Sequence, residues 1–97
     1  MFLNKGSEAE YKKRHSEIWP ELKDLLTESG VANYSIFLDE ETNVLFGVLD
    51  CYDEIAYQNI PLQPIMQKWW IYMKDLMQTN EDNSPVSVAL KEVFHLQ

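Results

Sequence analysis

The segment Tyr11–Pro20, with the sequence Tyr-Lys-Lys-Arg-His-Ser-Glu-Ile-Trp-Pro, has the apolar periodicity of an α-helix. At 100° per residue, one narrow apolar face is predicted to carry Tyr11, His15, Ile18, Leu22 and Leu25. Just before it, Ser7 and Glu10 have the spacing of a capping box, in which each side chain satisfies a backbone N–H of the first turn. The segment therefore predicts an amphipathic helix whose histidine faces the interior.

His15 has two interpretations on this evidence. An imidazole beside a phenol one helical turn away, both facing a core, could form the acid–base end of a pocket, because Tyr11 lies within side-chain reach. A histidine on an apolar face can equally be a core residue whose nitrogens are paired with backbone groups or a hydroxyl. The stretch alone leaves both interpretations open.

Length and composition restrict the class of protein. The 97 residues predict a single domain, residues 1–97, and the 45% hydrophobic and 25% charged content is typical of a globular chain. The net charge of −8 argues against nucleic-acid partners and against anionic membrane surfaces, both of which need basic residues. No apolar run approaches the length of about 20 residues that spans a membrane.

Cysteine and histidine usage narrows the chemistry further. Cys51 is the only cysteine, so an intrachain disulfide is impossible and a reducing, cytoplasmic location is expected. His15 and His95 lie far apart in the sequence and have no metal-ligand spacing. The sequence contains neither a glycine-rich phosphate loop nor a Gly-x-Ser-x-Gly nucleophile motif.

The order of elements predicts an α+β fold. Met1–Asn4 is predicted as a short strand before the first helix, and Ala32–Leu38 and Val44–Cys51 as a β-hairpin. Pro64 suits the first turn of a second long helix, and Lys91–Leu96 alternates like a last strand. The resulting β-α-β-β-α-β order is the ferredoxin-like, split β-α-β plan, with two helices on one face of an antiparallel sheet.

Five local features give more detailed expectations. A kink is expected near Ser16–Trp19 because the proline that follows removes a helix hydrogen bond. Gly30 suits the left-handed position that ends a helix, and Asp53 suits the cap of a short helical turn. Gly47 in the second hairpin strand suggests close approach by another element, such as a helix, and Gln78–Ser87 is predicted to be a loop.

The second face of such a sheet needs a cover. In the dimeric α+β barrel version of this plan, the sheet of a second subunit supplies it, which predicts a homodimer.

Aromatic residues supply further candidates for a site. Trp69 and Trp70 differ by about 100° around a helix, so one belongs to the apolar face and the other flanks it. Such a pair can form an aromatic wall with two N–H donors, which suits sugars, or can simply fill the core and its rim. Tyr34 begins the apolar face of its strand and can likewise close the core or line a site. No pair of carboxylates is forced together as a glycosidase dyad.

Four motifs, which lie in order along nearly the whole chain, resemble those of the L-rhamnose mutarotase family. They are Tyr11-x-x-x-His15-x-x-x-Trp19-Pro20, Asn33-Tyr34, Lys68-Trp69-Trp70-x-Tyr72-Met73 and Asp82-Asn83-Ser84-Pro85-Val86-Ser87. The resemblance implies a dimeric α+β barrel, a reaction that interconverts the α and β anomers of L-rhamnopyranose, and no metal or organic cofactor. Members of that family usually carry several more residues before the position of Met1, so the first strand is expected to be short here.

The resemblance also implies residue roles. The catalytic histidine of the family, its proton donor, matches His15, and its substrate-contacting residues match Tyr11, Tyr34, Trp69 and Trp70. Ring opening removes a proton from the anomeric hydroxyl and delivers one to the ring oxygen, which asks for a mild acid–base. His15 is the expected acid, whereas the base at O1 could be Tyr11, a water molecule or His15 itself acting as a shuttle.

Two other functions stay open at this point. A non-catalytic sugar-binding module would use the same aromatic wall. A haem-degrading monooxygenase of the same barrel superfamily would use His15 as an axial ligand.

Overall fold

The computed structural model describes residues 1–97 and contains four α-helices and a β-hairpin. The helices are α1 (Glu8–Ser16), α2 (Pro20–Glu28), α3 (Glu54–Asn59) and α4 (Pro64–Met73), and the hairpin strands are β1 (Val31–Asp39) and β2 (Val44–Cys51). Single 3-10 turns, Ile60–Leu62 and Lys74–Leu76, precede and follow α4.

Strands β1 and β2 pair antiparallel, with Phe37 opposite Phe46 and Leu38 opposite Leu45. The register shifts at a bulge between Ala32 and Ser35. Because side chains alternate along a strand, one face of the hairpin carries residues of the core and the other carries Phe37 and Phe46 into solvent.

The N-terminal residues lie between the hairpin and the segment that follows α4. Met1 exchanges two backbone hydrogen bonds with Leu45, at 2.8 and 2.9 Å, and Phe2 pairs with Val44. On the other side Leu3 pairs with Met77. The lateral order is therefore β1, β2, the N-terminal segment and the segment around Met77, which is the order of the ferredoxin-like plan. The predicted α+β class is confirmed. The first strand is short, as expected, and consists only of the isolated β-bridges of Phe2 and Leu3.

The predicted final strand, Lys91–Leu96, is wrong. Residues 86–97 form no helix or strand, and the fourth position in the sheet is occupied by Met77, directly after α4. A strand exists only where its backbone groups find a partner edge, and within this chain the edge beside Leu3 is already taken. The alternating sequence of this C-terminal arm (residues 86–97) is therefore presented to solvent.

Proline acts more strongly on the first helix than predicted. The expected kink is a complete break, in which α1 ends at Ser16 and α2 begins at Pro20. Trp19 adopts an extended conformation (φ −59°, ψ 132°), as a residue before proline prefers. The predicted capping box is also wrong, because Ser7 has ψ near 3° rather than the extended value that aims a cap side chain at the helix, and makes no capping hydrogen bond.

The remaining local predictions had mixed outcomes. Gly30 ends α2 with φ 83°, and a Cβ there would lie 2.7 Å from the backbone nitrogen of Asp53. Asp53 caps α3 by accepting a hydrogen bond from the Ala56 N–H at 3.1 Å. Gly47 is approached by the ring of Tyr34 and not by a helix, and a Cβ at this glycine would lie 3.5 Å from that ring. The glycine thus leaves room for a candidate site residue.

The hydrophobic core lies between the helices and the inner face of the hairpin. Its buried residues come from the N-terminal segment, α1, α2, β2, α4 and the segment that follows α4, and they are Leu3, Tyr11, Leu22, Leu45, Trp69, Met73, Leu76 and Met77. Because α1 and α4 meet in this core, residues of the two predicted motif helices are brought side by side.

Candidate active site

His15 lies in the last turn of α1, and one of its nitrogens is fixed by the backbone. Its Nδ1 is 3.0 Å from the Tyr11 carbonyl oxygen. Because a carbonyl oxygen can only accept, Nδ1 carries the proton in this contact, and in the neutral ring Nε2 carries the lone pair. Burial lowers the pKa of His15, and the hydrogen bond to Tyr11 partly offsets that effect. The ring is therefore predominantly neutral near pH 7 and accepts a proton at Nε2.

Tyr11 stacks beside the imidazole, with ring centroids 4.3 Å apart and planes inclined by 31°. Its side chain is buried, and this burial, with a smaller contribution from the neighbouring Tyr34, raises the pKa of the Tyr11 hydroxyl well above its usual value. The phenol consequently stays protonated at any ordinary working pH. It can donate a hydrogen bond but is a poor general base, so the structure disfavours one of the three candidates for the base at O1.

Trp69 forms the wall on the α4 side of His15. The two rings meet edge to face at 5.5 Å, and Trp69 makes a second edge contact with Trp19 at 5.1 Å. Tyr72 packs against both indoles. The indole of Trp69 is held by these contacts and is only 6% exposed, so its orientation toward the imidazole is fixed.

Arg14 joins α1 to the C-terminal end of α4 beside this cluster. Its guanidinium lies 4.5 Å over the ring of Tyr72, donates to the Tyr72 carbonyl at 2.7 Å and pairs with the Asp75 carboxylate at 2.9 Å. The ion pair lowers the pKa of Asp75. Since Arg14 directly precedes His15, this contact also restrains the histidine's backbone relative to α4.

Trp70 and Tyr34 complete the candidate set from two different elements. Trp69 is buried, whereas Trp70 is half-buried and flanks it, as their 100° separation predicts. Tyr34 follows Asn33, whose left-handed backbone (φ 52°) lies in the β1 bulge. A bulge re-aims the side chains that follow it, which places the Tyr34 ring over Gly47.

One cavity of about 120 Å³ is lined by all five residues singled out from the sequence, Tyr11, His15, Tyr34, Trp69 and Trp70. Two further polar residues, Thr79 and Asn83, line it from the loop after α4. Neither residue is among those predicted from the sequence to bind substrate, although Asn83 lies in one of the four motifs. A cavity with apolar aromatic walls and a few convergent polar groups is the usual form of a small-molecule site.

The structure shows no set of three or more His, Cys, Asp or Glu side chains that could bind a metal ion. None of its helices is long and apolar enough to cross a membrane.

The fold and the cavity define an α+β protein of ferredoxin-like plan with one titratable imidazole in an aromatic pocket, and comparison with known proteins gives the family. The family model described as L-rhamnose mutarotase matches residues 1–96. A protein of Brucella anthropi named L-rhamnose mutarotase is 59% identical over 96 residues, which cover 99% of this chain and 91% of that protein. A relative of the same name from Lachnoclostridium phytofermentans is 54% identical, over 99% of this chain and 92% of the relative.

A solved structure agrees with these sequences. The crystal structure of an L-rhamnose mutarotase from Formosa agariphila superposes with a TM-score of 0.93 at 49% identity, over 100% of this chain and 93% of that one. The chain belongs to the L-rhamnose mutarotase family. The resemblance predicted from the four motifs is confirmed, and so is the isomerase class.

Proposed function

We propose that this protein interconverts the α and β anomers of L-rhamnopyranose by general acid–base ring opening and reclosure. The observation that carries the proposal is His15, held by the Tyr11 carbonyl and directed into a cavity that Tyr11, Tyr34, Trp69 and Trp70 also line. The relatives that match nearly the whole chain are named L-rhamnose mutarotase. Neither a haem-degrading monooxygenase nor a non-catalytic sugar-binding module finds support among these relatives.

The proton chemistry follows from the state of His15. Neutral Nε2 takes the proton from the anomeric O1, the C1–O5 bond breaks with its electron pair moving to the ring oxygen, and the imidazolium returns the proton to O5. Rotation about C1–C2 and reclosure on the other face of the carbonyl reverse the transfers. The lowered pKa of His15 favours this shuttle over a histidine that begins as the acid.

The aromatic residues are proposed to bind the substrate. Trp69, Trp70 and Tyr34 offer ring faces to the C–H surface and the methyl group of the sugar, and their N–H and O–H groups can meet its hydroxyls. The Tyr11 hydroxyl, which stays protonated, donates to a sugar oxygen. The proposal needs no metal or organic cofactor.

The protein is further proposed to be a homodimer and to work in the cytoplasm. Phe37, Phe46 and Val48 are 59%, 39% and 60% exposed on the outer face of the hairpin. In the C-terminal arm, five apolar side chains are 68–90% exposed, and they are Val88, Leu90, Val93, Phe94 and Leu96. Apolar surface of this extent on a small protein indicates a partner, and a second copy can cover it by symmetric packing. The single, exposed thiol of Cys51 suits a reducing compartment.

The test is saturation-transfer NMR between the two anomeric protons of L-rhamnose. Added protein should increase the transfer over that in buffer. A protein that binds the sugar but leaves the exchange at its buffer rate is a binding module, and the proposed activity is then wrong.

A further inference from the structure

The loop predicted from Gln78 to Ser87 is a tight hairpin. Thr79 and Pro85 form an antiparallel bridge, and the Val86 N–H donates to the Gln78 carbonyl at 3.1 Å. Across the turn the Asn80 N–H donates to the Ser84 carbonyl at 2.8 Å. This 79–85 hairpin follows directly from the sheet position of Met77, so it is attached to the core at the edge of the cavity.

Three polar side chains of the hairpin are used to hold its shape. The Asn80 amide donates to the Ser84 hydroxyl at 3.0 Å, and the Asp82 carboxylate accepts from the Ser84 N–H at 3.0 Å and from the Ser84 hydroxyl. The bonds from Ser84 lower the pKa of Asp82, which keeps this carboxylate ionised as an acceptor. None of these bonds uses the amide of Asn83.

Asn83, whose amide takes part in none of these bonds, is one of the residues that line the cavity. Four residues of the lining are not hydrophobic side chains, and they are His15, Thr79, Asn83 and Pro85. Of these, Pro85 has no polar side-chain group. A pyranose carries several hydroxyls, each of which loses hydrogen bonds to water when the sugar is bound. A carboxamide can donate and accept at once, whereas the imidazole is committed to the anomeric centre and the indoles can only donate. Like the hydroxyls of Thr79 and Tyr34, the Asn83 amide can therefore pair with a ring hydroxyl, and among these groups it alone offers a separate NH₂ donor and C=O acceptor.

The backbone explains why asparagine suits the position. Asn83 has φ 70°, in the left-handed region that glycine and asparagine occupy at little cost. This conformation is fixed by the turn, in which the Asn83 N–H donates to the Asn80 carbonyl at 3.0 Å. The side chain is thus presented by a hydrogen-bonded hairpin.

We propose that Asn83 is a substrate-binding residue that holds a ring hydroxyl of the sugar through its amide and so contributes to the choice of sugar. This inference rests on the proposed anomer exchange. It assigns the Asp82-Asn83-Ser84 motif a function: Asp82 and Ser84 build the turn, and Asn83 reaches the ligand.

The test uses substitutions matched to the backbone. Asn83→Gly removes the amide at a φ that glycine accepts without strain, and Asn83→Asp keeps the shape but replaces the NH₂ donor with an acceptor. Asn43→Gly is the control, because Asn43 also has positive φ (60°), lies in the β1–β2 turn and does not line the cavity. Exchange of L-rhamnose should fall about tenfold in kcat/KM for Asn83→Gly, as expected for one lost hydrogen bond, and stay within twofold for Asn43→Gly.

The same proteins are then tested on the L-rhamnose analogues that lack the hydroxyl at C2, C3 or C4. Removal of one of these hydroxyls should lower kcat/KM of the wild type. The same removal should lower kcat/KM of Asn83→Gly much less, because that variant already lacks the partner of the hydroxyl. If the wild type exchanges L-rhamnose and Asn83→Gly matches it, or keeps every analogue penalty, the role of Asn83 is refuted while the proposed function stands. If the wild type fails to exchange L-rhamnose, both fall.

Discussion

The imidazole of His15 meets the indole of Trp69 edge to face, with ring centroids 5.5 Å apart and planes at 90°. This contact joins α1 to α4 and places the one titratable imidazole of the cavity against the indole of Trp69. The indole is in turn held by Trp19 and Tyr72. Sequence positions more than fifty residues apart are therefore packed into one aromatic cluster.

Substitution of the two adjacent tryptophans should lower the free energy of unfolding by different amounts. Trp69→Phe should lower the free energy of unfolding by about 0.5–3 kcal/mol, because it leaves space in a well-packed core. Trp70→Phe, at a half-buried position, should change stability less. Urea unfolding followed by circular dichroism measures both. Equal losses in the two variants would contradict the buried and flanking assignment.

The same indoles should report sugar binding. We expect L-rhamnose to perturb the tryptophan fluorescence of the wild type, because both indoles line the cavity. The effect should disappear in the Trp69→Phe, Trp70→Phe double variant, which retains only Trp19. A perturbation that survives unaltered in the double variant would mean that the sugar binds elsewhere.

Stability should depend on pH through His15. Its pKa is lowered in the folded state, so below about pH 6.5 the unfolded chain binds more protons than the folded one. The contribution of this group is constant above that pH and is lost as pH falls through the folded pKa. Urea unfolding should therefore show that the free energy of unfolding falls more between about pH 7.5 and about pH 5 for the wild type than for His15→Gln. Identical losses would contradict a buried, neutral imidazole.

Tyr11 should act as a hydrogen-bond donor and not as a base. Its raised pKa means that the exchange rate should show no alkaline transition attributable to a tyrosine near its usual value of about 10. Tyr11→Phe should lower the rate while leaving the pH dependence set by His15 in place. A pH–rate profile that loses its acid limb in Tyr11→Phe would instead make the phenol the titrating group.

The proposed homodimer should depend on the outer face of the hairpin. Phe37→Glu places a charge where the partner's sheet is proposed to pack, so sedimentation at micromolar concentration should change from dimer to monomer. Ile71→Glu is the control, because Ile71 is similarly exposed (53%) but lies on α4. A wild type that sediments as a monomer refutes the dimer, and a dimeric Phe37→Glu variant refutes this interface.

The sequence predicted those parts of the fold that periodicity and local chemistry determine. The inward position of Tyr11 on α1, the hairpin, and the glycine at the end of α2 are present in the structure. The apolar face predicted to run from Tyr11 to Leu25 on one helix is instead divided between α1 and α2. The break at Pro20 is stronger than the predicted kink, since a proline can either kink a helix or end it. The last strand is absent because alternation shows which face a strand would have but not whether a partner edge exists.

The site was predicted in its residue types but not in its full composition. Helical spacing placed His15 beside Tyr11, but only the tertiary fold brings Tyr34 and the 79–85 hairpin to the same cavity. Thr79 and Asn83 are polar residues in a turn-rich stretch, and nothing in their local sequence distinguishes a lining residue from a solvated one. Likewise, the pKa shifts of His15 and Tyr11 arise from burial, which one helical face does not quantify.

The proposed activity depends above all on the transfer of the protons of anomer exchange by His15. It is tested most directly by saturation-transfer NMR on L-rhamnose with equal concentrations of wild type and His15→Ala, whose folding is verified by circular dichroism. If His15 transfers the protons, the variant loses about 10²–10⁴-fold in protein-dependent exchange, the scale of general acid–base catalysis. A folded His15→Ala protein that exchanges the anomers at the wild-type rate would contradict this role of His15.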